Sequence, residues 1–367
     1  MRSLWALTDE QEGRANDRQD DVPAKMKAQV LRSLADLAEH TEPLDFCDVE
    51  MPTPGPGDVL IRVSACGVCH TELDEIEGRT PPPRLPVIPG HQVVGRVEKA
   101  GQWVTSLRPG DRVGVAWIFS ACGACRFCLG GLENLCPQFM ATGRDADGGY
   151  AEYMVVGEAF AHPIPDSLGD IQAAPLLCAG AIGYRSLHLT GIENGEPLGL
   201  TGFGGSGHLV LKMVRHRFPD SPVYVFARSP VQRGFALELG AAWAGDTEDT
   251  PPTPLQAIID TTPAWKPVLA AMEHLSPAGR LVINAIRKES RDRDVLLQLD
   301  YPRHLWLEKE IKSVANVCRS DVREFLSIAA DINISPEVET YPLADANRAL
   351  MELKAGHFRG AKVLVME

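Results

Sequence analysis

The run Cys122-Gly-Ala-Cys125-Arg-Phe-Cys128, followed after a seven-residue gap by Cys136, constrains this chain more than any other feature. Four thiolates within fifteen residues can surround a tetrahedral Zn²⁺ simply by looping the chain around the ion. The gap before the fourth cysteine is longer than in the run typical of bacterial ferredoxin clusters, which favours zinc over iron–sulfur. Four protein ligands leave no open position, so this site is read as structural. Cys47, Cys66, Cys69, Cys178 and Cys318 complete an odd total of nine. That odd count, the tight local spacing and a polar N-terminus without an apolar signal core favour metal thiolates in a reducing cytoplasm over disulfides.

A second set of candidate ligands is dispersed. Cys69 stands in Gly-Val-Cys-His-Thr-Glu-Leu, His91 in Pro-Gly-His-Gln and Cys178 in Ala-Pro-Leu-Leu-Cys-Ala-Gly. Two thiolates and one imidazole make a three-ligand zinc whose fourth position is free for substrate. A third motif follows the strand-like Leu198-Gly-Leu-Thr201: Gly202-Phe203-Gly204-Gly205-Ser206-Gly207, leading into an apolar-periodic helix from Leu209 to Val214. In that setting Gly-x-Gly-x-x-Gly is a turn that places a pyrophosphate on a helix N-terminus. The acidic residue that would bind a ribose 2′-hydroxyl about twenty residues on is missing. Ala227 takes its place, and Arg228 and Ser229 can hold a 2′-phosphate instead, so NADP(H) is favoured over NAD(H).

The organisation follows from texture. A polar tail covers 1–25. Residues 26–178 hold nearly all the cysteines and short alternating runs, which predicts irregular β structure with a zinc lobe over 119–137. Over 179–318, strands at 198–201, 223–227, 257–260, 280–284 and 311–315 alternate with helical stretches, the βαβ signature of a parallel sheet. Residues 319–367, with helix-like runs at 322–330 and 344–355 and a strand at 361–365, are expected to return to the first domain. A net charge of −13 argues against a nucleic-acid or anionic-membrane partner. No apolar run approaches the roughly 18 to 20 residues that span a bilayer.

Taken together, these residues resemble the medium-chain dehydrogenase/reductase superfamily, and within it the zinc-dependent alcohol dehydrogenases. The landmarks recur in order from Pro54-Gly-Pro-Gly-Asp58 through Gly67-Val-Cys-His-Thr71, Pro89-Gly-His91, Gly110-Asp-Arg-Val113, the four-cysteine lobe, Gly148-Gly-Tyr-Ala-Glu-Tyr153 and Pro175-Leu-Leu-Cys178 to the dinucleotide turn. The stretches 174–184, Tyr224-Val-Phe-Ala-Arg228 and Ser313-Val-Ala-Asn316 are similar to the bacterial branch near cinnamyl alcohol dehydrogenases. The resemblance implies an α/β architecture: a GroES-like, mainly-β catalytic domain, a Rossmann domain and an active site between them. It implies two zinc ions, the catalytic one on Cys69, His91 and Cys178, with the Thr71 hydroxyl beside it and His70 against the pyrophosphate. The reaction implied is hydride transfer between a small alcohol or aldehyde and the nicotinamide, in a homodimer or homotetramer. Trp117, Ile118 and Phe119 fall where relatives line the substrate channel. Three positions depart from the pattern: Gln92 replaces a glutamate, Glu72 an aspartate, and Asp74 the histidine that ends the proton relay. Cys47, Cys66 and Cys318 are read as structural. Two alternatives stand beside the leading one: the same reaction with NAD(H), and a non-enzymatic redox sensor that binds zinc and a dinucleotide.

Overall fold

The computed structural model describes residues 23–356 and 360–366. The tail read over 1–25 lies outside the described residues up to residue 22, and Lys25 already opens a strand, Lys25–Leu31. Two large sheets carry the fold. The first has seven strands built around Asp58–Val68, eleven residues long. Register shifts against Val93–Ala100, at Leu60/Ile61 and Val63/Ala65, bend this long strand. Its first half therefore pairs with Tyr153–Gly157 and its second half with Ala361–Val365. Val59, Ile61, Val63, Val93, Val113 and Tyr150 fill the core beneath it.

The second sheet has six parallel strands in the spatial order Trp243–Gly245, Val223–Phe226, Leu198–Thr201, Leu255–Asp260, Leu275–Ile283 and Glu310–Ser313. This is the doubly wound order, with its switch point between Leu198–Thr201 and Leu255–Asp260. Leu198–Thr201 and Val223–Phe226 are buried on two faces, which accounts for their nearly unbroken apolar character. The register aligns Phe226, Thr201, Asp260 and Ile283 across the carboxyl edge, where a ligand of such a sheet binds.

Five helices position the site: α1 (His70–Ile76), α2 (Ala181–Thr190), α3 (Gly207–Arg217), α4 (Pro230–Glu238) and α5 (Arg319–Asp331). One hydrophobic cluster joins the two sheets. It includes Val94 and Val363 from the first, Leu198 and Val225 from the second, and Leu176, Leu177 and Tyr184 between them.

Two strands carry no signal singled out from sequence. Trp243–Gly245 is only three residues long, and Val338–Pro342 is a largely exposed edge that ends in proline. The return of the chain to the first sheet is made by Val338–Pro342 and Ala361–Val365. Residues 319–331, grouped with that return from sequence, form α5. Its Phe325 ring lies against Gly180, leaving no room there for a Cβ.

Candidate active site

Cys69 is the N-cap residue of α1, with extended backbone (φ −130°, ψ 161°). Its N–H donates to Glu72 Oε2 at 2.8 Å, so the first helical turn is closed by a carboxylate from within. Another Glu72 oxygen, Oε1, lies 2.6 Å from His91 Nδ1. One buried glutamate thereby orients two candidate ligands. His91 follows Gly90, whose φ of +99° turns the chain inward against the ring of Tyr150. Cys178 sits in a single π-helical turn, Leu176–Gly180, between Asp170–Pro175 and α2. Such turns re-aim one side chain out of a regular helix.

The Sγ atoms of Cys69 and Cys178 are 4.0 Å apart, and one donor atom from each of Cys69, His91 and Cys178 lies within 4.8 Å of the others. His91 Nε2 is buried and has no hydrogen-bond partner. The neighbouring Cys178 thiol, with His91 behind it, holds the Cys69 thiol well below its usual range, while Cys178 is pushed up. Two sulfurs, one of them disposed to ionise, and an orphaned imidazole nitrogen form a donor set that fits Zn²⁺. His91 is closed off, but Cys69 and Cys178 both keep accessible surface. Thr71 Oγ1 is 3.6 Å from Cys69 Sγ. Trp117 meets the His91 ring edge-on, centroids 5.0 Å apart. Its two neighbours turn elsewhere: Ile118 enters the core, and Phe119 lines a separate hollow of about 440 Å³ with Met26, Met140 and Tyr153.

The second cluster brings Cys122, Cys125, Cys128 and Cys136 together. Cys125 and Cys128 sulfurs are 3.6 Å apart, Cys122 and Cys128 3.9 Å. Backbone N–H groups of Cys125 and Gln138 donate to Cys122 and Cys136 at 3.3 Å. Donation from the Ala124 and Cys125 amides brings the Cys122 thiol down to about 6. The lobe is fastened to the start of α5: Asn134 Nδ2 donates to Ala315 O at 2.7 Å, and Arg319 Nε to Glu133 at 2.6 Å. Cys318, buried beside Asn134 and Arg185, belongs to this seam.

On the parallel sheet, Gly202 (φ +82°) turns the chain against Thr261, where an added Cβ would lie 2.7 Å from Oγ1. Phe203 is buried; Gly204 faces open space at the start of α3, and a Cβ at Gly205 would lie 4.0 Å from the Ala179 Cβ. Ser206 and Gly207 begin that helix, Gly207 tight against Gly202 O. Arg228 is exposed and Ser229 half-buried at the end of Val223–Phe226. Arg233 was missed from sequence. From the first turns of α4 its Nη1 donates to Ala227 O at 2.7 Å and Arg228 O at 3.1 Å. His70 is exposed at the start of α1. Asp74 is no free carboxylate: Arg287 Nε and Nη2 donate to its two oxygens at 3.2 and 3.1 Å, and Arg79 also binds it.

Known proteins resemble this chain in sequence and in fold. The alcohol dehydrogenase GroES-like domain family matches residues 55–166. A probable alcohol dehydrogenase, AdhA, of Mycobacterium tuberculosis is 44% identical over 331 residues, 89% of this chain and 94% of that protein. The chain belongs to the alcohol dehydrogenases of the medium-chain dehydrogenase/reductase superfamily. A cinnamyl alcohol dehydrogenase from Sorghum bicolor superposes on this enzyme with a TM-score of 0.77 at 28% identity, over 93% of this chain and 97% of that one. A cobalt- and zinc-bound thermostable alcohol dehydrogenase from Pyrobaculum aerophilum gives 0.81 at 26% identity, over 93% and 99%. Membership settles the choice between enzyme and sensor in favour of the enzyme. Among the described residues no helix is long and apolar enough to cross a membrane.

Proposed function

We propose that this alcohol dehydrogenase is zinc-dependent, prefers NADP(H) and interconverts primary alcohols and aldehydes, with its active site between a catalytic domain (26–178 with the returning C-terminal strands) and a cofactor domain (about 179–318). The reading rests on the convergence of the Cys69, Cys178 and His91 donor atoms within 4.8 Å, with Ala179, next to Cys178, 4.0 Å from a Cβ placed at Gly205 of the glycine turn.

Cys69, His91 and Cys178 would hold the catalytic zinc, and Cys122, Cys125, Cys128 and Cys136 a structural one. Bound there, zinc supplies Lewis acidity that lowers the pKa of an alcohol or polarises an aldehyde, and the nicotinamide supplies or accepts the hydride. Glu72 holds the His91 ring with Nε2 facing the ligand site, a buried carboxylate behind the imidazole that raises its basicity. Thr71 offers its hydroxyl next to Cys69, where it takes the substrate proton and passes it toward solvent. Trp117 walls the site with an apolar edge, which suits aromatic or medium aliphatic substrates. The Gly202–Gly207 turn, the open space at Gly204 and the N-terminus of α3 receive the pyrophosphate.

The NADP(H) preference rests on Ala227 in the acidic position and on Arg228, Ser229 and Arg233 around it. The strand Glu310–Ser313 is exposed along its length at the sheet edge, which supports a homodimer, or a homotetramer built from it. A cytoplasmic setting fits nine unpaired cysteines.

The test is kcat/KM with NADP⁺ and with NAD⁺ on benzylic, allylic and short aliphatic alcohols. NADP⁺ should win, and Arg228→Asp should reverse the ratio. An unchanged ratio removes the assignment of Arg228.

A further inference from the structure

Asp74 and Arg287 belong to opposite sides of the cleft. Asp74 lies on α1, one turn beyond Thr71 and close to the Cys69 cap. Arg287 follows the strand Leu275–Ile283, from whose end Asn284 N–H donates to Asp260 O at 2.7 Å. The adjacent residue, Lys288, anchors this loop on its own side. Its Nζ binds the fully buried Asp260 and donates to Thr262 O at 2.7 Å and Ala264 O at 3.1 Å. Asp260 also accepts from Thr201 Oγ1 at 2.6 Å, and Thr201 is the residue before the Gly202 turn. Two consecutive cations thus face opposite ways, Lys288 into the cofactor sheet and Arg287 across the cleft to α1.

We infer that Thr201–Asp260–Lys288–Arg287–Asp74 is a tie that sets the distance between the dinucleotide turn and the metal-ligand helix, with Asp74 and Arg287 as positioning residues for hydride transfer. It rests on the reading that the nicotinamide cofactor binds at the Gly202–Gly207 turn. A bidentate guanidinium–carboxylate pair fixes orientation as well as distance. Asp74 is nearly buried, so removing Arg287 leaves a poorly solvated carboxylate on α1 with Arg79 beside it. Both Asp74 oxygens accept from arginines, so the carboxylate acts through the tie. Small displacements of reacting atoms cost rate steeply, which makes such a spacer matter.

The two arginines on Asp74 allow a clean test. Arg79 sits on the same side of the cleft as Asp74; only Arg287 crosses it. Arg287→Gln should lower the single-turnover rate of hydride transfer about tenfold or more and raise the primary deuterium isotope effect on kcat. Arg79→Gln should stay within about twofold of the parent rate, and Arg287→Lys, which keeps the charge but not the fork, should fall between. Asp74→Asn should match Arg287→Gln, and the double variant should lose no more than either alone. Equal effects of Arg79→Gln and Arg287→Gln would overturn the tie. So would an Asp74→Asn loss far exceeding that of Arg287→Gln, the mark of a proton acceptor. Gly204→Asp tests the underlying cofactor reading separately, because a Cβ there meets nothing within 4 Å. If it leaves NADPH binding unweakened, that reading fails, whereas equal arginine variants remove only the tie.

Discussion

His91 Nδ1 lies 2.6 Å from a Glu72 oxygen, and neither side chain reaches solvent. The same carboxylate accepts the Cys69 N–H, so one residue fixes the ring orientation of one ligand and the cap geometry of another. Glu72→Gln keeps the size but loses the charge. It should weaken metal at the Cys69–His91–Cys178 site about 10- to 100-fold while leaving the four-cysteine lobe loaded. Competition with a chromogenic chelator reads both sites, and equal loss from the two would show that Glu72 acts on the whole fold.

Gly90 is the second point of leverage. Its φ is +99°, and a Cβ added there would collide with the Tyr150 ring, so no side chain fits. Gly90→Ala should cost roughly 2–4 kcal/mol from left-handed strain and overpacking combined. Since His91 is the next residue, zinc should be lost along with stability. Urea denaturation with metal analysis checks this; a Gly90→Ala variant as stable as the parent would contradict the close packing described.

Arg233 extends the selectivity surface beyond Arg228. Held by the Ala227 and Arg228 carbonyls, its guanidinium stays at the end of the strand with little entropy left to lose. Arg233→Ala should lower kcat/KM for NADP⁺ about tenfold or more, the worth of a charged hydrogen bond, and leave NAD⁺ nearly unaffected. A parallel loss with both cofactors would assign Arg233 to folding.

His162 makes stability depend on pH. Burial, reinforced by Arg323 and Arg319, brings its imidazole down to about 4 from an ordinary 6.5. Above 6.5 both folded and unfolded chains carry it neutral, and its contribution is complete. Between 6.5 and 4 only the unfolded chain takes up the proton, so stability falls with pH, by up to roughly 3 kcal/mol. The drop in the urea midpoint from pH 7.5 to 5 should shrink in His162→Gln. An unchanged drop would mean that other groups carry it.

How far the sequence could be read depended on the range of the interaction. The four-cysteine lobe is local, and so is the glycine turn between Leu198–Thr201 and α3; both were legible because their ligands or strands lie within a few residues. The α/β architecture followed from the alternation of 179–318. Cys69, His91 and Cys178 are separated by long stretches; their residue types suit a three-ligand zinc, and resemblance to a family assigns them to the catalytic ion. Asp74 and Arg287 are 213 positions apart, and nothing near either residue announces the other. Arg233 was equally silent, because an arginine in an exposed helix turn reads as solvated surface. Phe119 follows Trp117 by two residues, yet the backbone sends it to another hollow.

The two ligand clusters differ in kind, one open-sided and one closed. Metal content should be counted per chain while a chelator is dialysed in and alcohol oxidation is followed. Two zinc ions are expected, one for each ligand cluster. The more labile one should leave together with activity, and returning zinc should restore both. A single zinc that remains in the lobe while turnover continues unchanged would contradict a catalytic metal at Cys69, His91 and Cys178.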